Sequence, residues 1–165
     1  MFNFTAIDTL FCDIKKSQSW LDFTNLFKQA ETVVYIGQGG NLGIADHASI
    51  DAARHSGKKT QSLGSAIWCT SLINDYKERW IEQFIKISNP DLVILFTASA
   101  TDKAFDNAVN YCKTNNKDYF VITGKSKFVN EIYISVDTYH EFEVCALALT
   151  YQLLEAGGYS CPKIK

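Results

Sequence analysis

The sequence predicts an α/β protein: a three-layer α/β/α sandwich around a mostly parallel five-stranded sheet. Short β-branched runs bounded by glycine alternate with longer segments of helical period, which is the pattern of βαβ units. The run DLVILFT (residues 91–97) is apolar throughout its centre, as expected for a strand buried on both faces of a parallel sheet. The 165 residues, 47% of them apolar, are enough for one domain with a substantial core.

The elements are predicted in chain order from these patterns. Residues 1–30 form a helical segment, residues 31–156 the α/β core, and residues 157–165 a tail that contains glycine and proline. The predicted strands are residues 32–37, 60–64, 91–97, 119–124 and 131–136. The predicted helices are residues 41–55, 66–72, 77–87, 102–115 and 140–155. The turn-forming pair Asn74-Asp75 is expected to separate the second of these helices from the third.

Composition excludes several classes of function. The formal net charge is −2 and there is no basic stripe, so nucleic acid is not expected as a partner. No apolar run approaches 18 residues and the first ten residues lack a basic leader, so we expect neither a membrane span nor a signal peptide. The five cysteines are scattered without a CxxC pair, which favours reduced thiols and a cytoplasmic location. They are Cys12, Cys69, Cys112, Cys145 and Cys161.

Ligands of parallel sheets bind at the carboxyl ends of the strands. The first predicted strand is followed there by a glycine-rich turn, whose backbone and following helix N-terminus could bind an anion; a plain tight turn is the alternative. The central strand is followed by the hydroxyls of Thr97, Ser99 and Thr101, which suit a phosphoryl group; helix capping is the alternative. The N-terminus of the last helix is the third expected place.

Histidines and a carboxylate recur at intervals of four. His47, Asp51 and His55 lie on one face of a predicted helix, and a His–carboxylate pair at this spacing is half of a possible metal site. The alternative is an exposed polar face. His140 is the remaining histidine and opens the last helix, where it could equally be an ordinary first-turn residue.

Taken in order, these motifs resemble the sugar-isomerase (SIS) domain family, and within it the phosphoheptose isomerases. The resemblance runs from about Val33 to Glu155 and rests on five motifs. They are the turn Gly37-Gln38-Gly39-Gly40-Asn41, the pair His47-xxx-Asp51, the tripeptide Asn74-Asp75-Tyr76, the loop Thr97-Ala98-Ser99-Ala100-Thr101-Asp102, and Thr123-Gly124-Lys125.

The resemblance implies an aldose–ketose isomerase that acts on a phosphorylated sugar, sedoheptulose 7-phosphate, in the synthesis of cell-surface heptose. It implies catalysis by Asp51 as base together with His140, and a zinc ion held by His47, Asp51 and His140. It also implies a homotetramer with sites at subunit boundaries. The substrate-binding residues that it implies are Gln38, Gly39, Gly40, Asn41, Asn74, Asp75, Thr97, Ala98, Ser99 and Asp102.

Four positions depart from the family pattern. Ala148 stands where the family has a histidine, Asp51 is one methylene shorter than glutamate, Ala100 replaces a glycine, and Asp102 replaces a hydroxyl. The alternative is therefore a non-catalytic SIS module that binds a sugar phosphate or a protein partner such as a replication initiator. Apolar surface for assembly is expected from the N-terminal helix and from three aromatic residues, Trp68, Trp80 and Phe84.

Overall fold

The structure, a computed structural model, describes residues 4–160. Its strands are β1 (Thr32–Ile36), β2 (Lys59–Ser62), β3 (Leu92–Thr97), β4 (Asp118–Thr123) and β5 (Glu131–Tyr133). Its helices are α1 (Phe4–Lys16), α2 (Gln18–Gln29), α3 (Gly40–Ser56), α4 (Ala66–Tyr76), α5 (Trp80–Ser88), α6 (Lys103–Thr114) and α7 (Tyr139–Ala156). Cys161 and the rest of the predicted tail beyond residue 160 lie outside the described residues, as do residues 1–3.

The five strands form one sheet in the order β2-β1-β3-β4-β5, and every pair is parallel. The predicted α/β/α fold class is thereby confirmed. Alternate residues of β1 face opposite layers: Val33 and Tyr35 pack with α1, α2, α3 and α7, whereas Val34 and Ile36 pack with α4, α5 and α6. All six residues of β3 are buried, as its continuous apolar run predicted.

Three predicted boundaries are wrong by three residues or more: the end of α4, the start of α5 at Trp80 rather than residue 77, and the end of β5. The helix expected to end at residue 72 continues through Asn74 and Asp75, and α4 ends at Tyr76. The helix is capped there by Lys77, which has a positive φ (51°) and a ψ of −128° and begins a single 3₁₀ turn, Lys77–Arg79. Buried Leu72 and half-buried Ile73 keep the end of α4 against the core, so packing outweighs the turn preference of the following pair. The last strand stops at Tyr133, three residues earlier than predicted.

The aromatic residues expected to offer surface are mostly core residues. Trp80 and Phe84 are only 2% and 3% exposed, and Trp20 and Phe23 of α2 are buried against the sheet. Trp68 does remain 41% exposed. The prediction was wrong for Trp80, Phe84 and the rings of α2, because α2 and α5 turn these rings towards the sheet.

Four thiols in the described part of the chain are free cysteines: Cys12, Cys69, Cys112 and Cys145. Burial raises the pKa of the Cys112 thiol to about 12, which leaves it inert. Within residues 4–160, no helix is long and apolar enough to cross a membrane.

Candidate functional site

A cleft of about 290 Å³ opens at the carboxyl ends of β1 and β3. These neighbouring strands lie where the strand order reverses, since the chain leaves β1 towards one helical layer and β3 towards the other. The cleft is lined by Gln38, Gly39, Gly40, Asn41, Thr97, Ala98, Ser99, Asp102, Phe105, Tyr139 and Glu143. Eight of the ten predicted substrate-binding residues thus line one cleft.

The glycine turn (residues 37–41) brings the chain unusually close to itself. A Cβ atom on Gly37 would overlap the backbone carbonyl of Asn41, and Gly39 has a positive φ of 62°. Gly39 caps α3 without a side-chain hydrogen bond, so the first backbone N–H groups of α3 have no side-chain acceptor from their cap. The Oδ1 atom of Asn41 is buried and has no hydrogen-bond partner within residues 4–160. The backbone N–H groups are available to a ligand or to water.

The hydroxyl loop (residues 97–102) is held mainly by its own polar groups. The Thr97 hydroxyl accepts a hydrogen bond from the Ala100 backbone N–H at 3.2 Å, and the Ser99 and Thr101 hydroxyls lie 2.9 Å apart. Ala100 stands in the left-handed region at φ 53°, where glycine would be unstrained. Lys127 donates to the Ala100 carbonyl at 3.0 Å and so fixes the turn from outside.

Asp102 lines the cleft but directs its carboxylate to α6. It is the N-cap of that helix, and its Oδ1 accepts a hydrogen bond from the Ala104 backbone N–H at 2.8 Å. The capping alternative therefore holds for this residue. Because the carboxylate already has a donor and a helix N-terminus beside it, its repulsion of an anion in the cleft is reduced.

Glu143 is a cleft residue that the motifs did not identify. It lies on α7 one turn after Tyr139, and a Cβ atom on Gly40 would overlap its carboxylate. The carboxylate therefore lies directly against the first residue of α3. The i, i+4 spacing of these two α7 residues was the available signal, because the N-terminus of the last helix was already an expected part of the site.

His47, Asp51 and His55 form a cluster on α3, as their spacing predicted. Nε2 of His47 is 3.1 Å from Oδ2 of Asp51 and 2.8 Å from the hydroxyl of Tyr151 on α7. Nε2 of His55 is 3.9 Å from Oδ1 of Asp51, whose side chain is only 13% exposed. His47 and Asp51 come seven and eleven residues after Gly40, about 10 Å and 16 Å along the helix. The cluster is thus separate from the cleft.

His140 is not brought to that cluster. It is exposed in the first turn of α7, eleven residues before Tyr151, and so about 16 Å along α7 from the residue that touches His47. Within residues 4–160, no three His, Cys, Asp or Glu side chains are placed to hold a metal ion. The donors present do not fit the zinc ion as predicted. Zinc binding by this chain therefore stays a prediction.

Asn74 and Asp75 are the other predicted site residues that do not line the cleft. They lie in the last turn of α4, and Asp75 lines a separate depression together with Arg79 and Glu82. The resemblance implied that Asn74 and Asp75 contact the substrate. Neither residue lines the cleft of its own chain.

The fold is similar to those of solved phosphoheptose isomerases and of a protein solved in complex with a sugar phosphate. A phosphoheptose isomerase from Francisella tularensis superposes with a TM-score of 0.76 at 12% identity, covering 93% of each chain. The phosphoheptose isomerase GmhA from Neisseria gonorrhoeae gives 0.73 at 13% identity, over 92% of this chain and 93% of that one. The Vibrio vulnificus NanR protein complexed with ManNAc-6P gives 0.62 at 16% identity, over 92% of this chain and 60% of that one.

Sequence comparisons give no further relation, since no protein-family model and no curated protein matches the chain. The structural similarity confirms that the chain has the fold predicted from its motifs, that of the SIS-type phosphoheptose isomerases. At these identities it establishes the fold and leaves the activity to be argued from the site.

Proposed function

We propose that this chain binds a phosphorylated sugar in the cleft between the glycine turn and the hydroxyl loop. The observation that carries the proposal is the convergence of both segments at the strand-order reversal, where open α/β sheets bind ligands. The similar solved structures support it, because two are phosphoheptose isomerases and the third contains ManNAc-6P.

The groups around the cleft suit a phosphate ester. Ser99 supplies a hydroxyl that can donate to a phosphate oxygen, and the first turn of α3 supplies backbone N–H groups that can donate to oxygens of the sugar. A depression of about 260 Å³ shares Ala98, Ser99 and Tyr139 with the cleft and adds the cation of Lys125. A ligand that extends from the cleft into this depression would contact the first turn of α3 at one end and Lys125 at the other.

The test is thermal unfolding and calorimetric titration with sedoheptulose 7-phosphate and with unphosphorylated sedoheptulose. We expect the phosphorylated sugar to bind and raise the unfolding temperature, as a ligand of the native state must. Ser99→Ala should weaken its binding by about tenfold, since one hydrogen bond to a charged group is lost. Ser71→Ala, on the exposed side of α4, is the matched control and should leave binding unchanged. Equal binding of both sugars would contradict the proposal.

Aldose–ketose isomerisation at the separate His47 cluster is the second candidate function, and it is favoured by the histidine contacts and low exposure of the Asp51 carboxylate. That carboxylate is held between His47 and His55, and such isomerisation needs a base that moves a proton between adjacent carbons. The measurement is incorporation of solvent deuterium into sedoheptulose 7-phosphate, followed by NMR. If Asp51→Asn loses deuterium exchange while His140→Ala keeps it, Asp51 is the base. If the native protein shows no exchange, isomerisation is contradicted and sugar-phosphate binding remains the proposed function.

Assembly and location stay proposals. The homotetramer implied by the motif resemblance would bring a second copy's residues near the exposed His47 face, and it would be the setting in which isomerisation is possible. The free thiols suit a reducing compartment, so the cytoplasm remains the expected location.

A further inference from the structure

We infer that Glu143 determines the orientation of the ligand: it keeps phosphate away from the N-terminus of α3 and accepts hydrogen bonds from the sugar there. This inference rests on the proposed function, because it concerns the same cleft. It assigns a specificity-determining role to a residue that the sequence motifs leave unassigned.

The geometry places the Glu143 carboxylate at the α3 terminus. Helices α3 and α7 run parallel, with Gly40 against Glu143 at one end and His47 against Tyr151 further along. The carboxylate occupies the space beside residue 40 that a Cβ atom would otherwise take. It therefore lies beside the first residue of α3, close enough to repel an anion bound to that helix N-terminus.

The charge of Glu143 is not neutralised by a neighbour. Among the residues that the structure describes, no lysine, arginine or histidine lines the cleft or pairs with Glu143. The first turn of α3 has no acidic residue of its own, so Glu143 is the carboxylate at that terminus. A phosphate placed beside it would meet a like charge within a few ångströms, in a partly enclosed space where screening is weak.

The same end of the cleft offers hydrogen-bond acceptors through Glu143. An ionised glutamate accepts and cannot donate. Sugar hydroxyls and ammonium groups are donors, whereas the oxygens of a phosphate dianion accept. The Gly40 end is therefore suited to the polyhydroxyl part of the ligand.

The other end can hold the phosphate. The depression beside the cleft is lined by Ser99, Lys125 and Thr138, and its acidic residue, Asp137, is accompanied by the lysine cation. The cleft end has the carboxylate of Glu143 and no cation, since the Asp102 carboxylate is directed to α6. The phosphate of a bound sugar is thus directed towards Lys125, and the sugar hydroxyls towards Glu143.

The test is calorimetric titration of the full chain with inorganic phosphate at low ionic strength. Glu143→Gln keeps the size and shape of the side chain but removes its charge. The variant should therefore bind phosphate about tenfold more tightly than the native protein. Glu155→Gln makes the same change in net charge at the far, exposed end of α7 and should stay within about twofold of the native affinity. Equal phosphate affinity of the native and Glu143→Gln proteins would overturn the inference.

The outcomes separate this inference from the proposed function. Tighter phosphate binding by Glu143→Gln, with no binding of sedoheptulose 7-phosphate by the native protein, would support the role of Glu143 and contradict the proposed function. If the native protein binds that sugar but Glu143→Gln leaves phosphate affinity unchanged, the proposed function is supported and the role of Glu143 is contradicted. Circular dichroism and a cooperative thermal transition verify folding, and Glu143→Ala provides the same test should the glutamine variant lose its transition.

Discussion

The hydroxyl of Tyr151 on α7 lies 2.8 Å from Nε2 of His47 on α3, and the two rings meet edge to face at 6.0 Å. This contact fixes which turn of α7 stands beside the histidine. His140 is three turns away, whereas Ala148 is one turn before Tyr151 and on the same face of the helix. The position next to His47 that could complete a metal site is therefore residue 148.

A histidine introduced at residue 148 should create a zinc site. With His47 and Asp51 it would supply three ligands from adjoining helix faces, so we expect Ala148→His to raise zinc affinity by at least about tenfold. Competition with a chromophoric chelator measures this without any need for enzyme activity. His140→Ala should leave zinc affinity unchanged in both backgrounds. A loss of zinc binding on removal of His140 would show instead that His47, Asp51 and His140 bind the zinc ion together.

The sequence predicted the elements that depend on local patterns. The apolar run of β3 and the carboxyl-end rule located both loops of the cleft, because strand burial and chain direction are local consequences of sequence. The prediction failed where the outcome depends on how two helices are aligned. Periodicity gives the face of α7 but not which of its turns meets α3, and so it did not identify Glu143 or exclude His140 from the His47 cluster.

Acid should destabilise the protein in part through Glu82. Its carboxylate accepts hydrogen bonds from Arg79 at 2.6 and 2.9 Å and from Lys86 at 2.6 Å. Chiefly the bonds from Arg79, against the opposing effect of burial, lower the pKa of Glu82 from 4.5 to about 2. A lowered pKa contributes stability above the ordinary value, and that contribution is lost as the pH falls from about 4.5 to about 2.

Glu82→Gln should therefore reduce the free energy of unfolding by about 1–2 kcal/mol at pH 7, a value discounted for the exposure of Arg79. The difference from the native protein should shrink below about pH 4 and vanish near pH 2. Urea unfolding across this range measures it. Glu78→Gln is the matched control, since that exposed carboxylate lies 3.4 Å from Lys103 and should contribute at most about 0.5 kcal/mol. A constant deficit at every pH would contradict the assignment to charge.

Two glycines of α3 should respond to alanine with opposite signs. Gly43 lies within the helix, and Gly57 caps its end in the left-handed conformation (φ 72°); a Cβ atom at either would meet no atom within 4 Å. Gly43→Ala should raise the free energy of unfolding by about 0.5–1 kcal/mol through the entropy of the unfolded chain. Gly57→Ala should lower it by about 1 kcal/mol through backbone strain. Thermal unfolding measures both, and a shared sign would show that contacts outside this chain dominate.

The outer face formed by α3 and α7 should be the surface through which copies of this chain associate. Val144 is 53% exposed on α7 and Ile50 58% on α3, and half-buried Leu147, one turn after Val144, continues the apolar stripe of α7 towards the His47 cluster. Association would cover these side chains, and a buried unpaired carboxylate there is costly. We therefore expect light scattering to report a homotetramer for the native chain and a smaller species for Val144→Glu. Ile87→Glu adds the same charge at a site 54% exposed on α5 and should leave the mass unchanged. A native monomer at micromolar concentration, or equal effects of both substitutions, would contradict the assignment of this face.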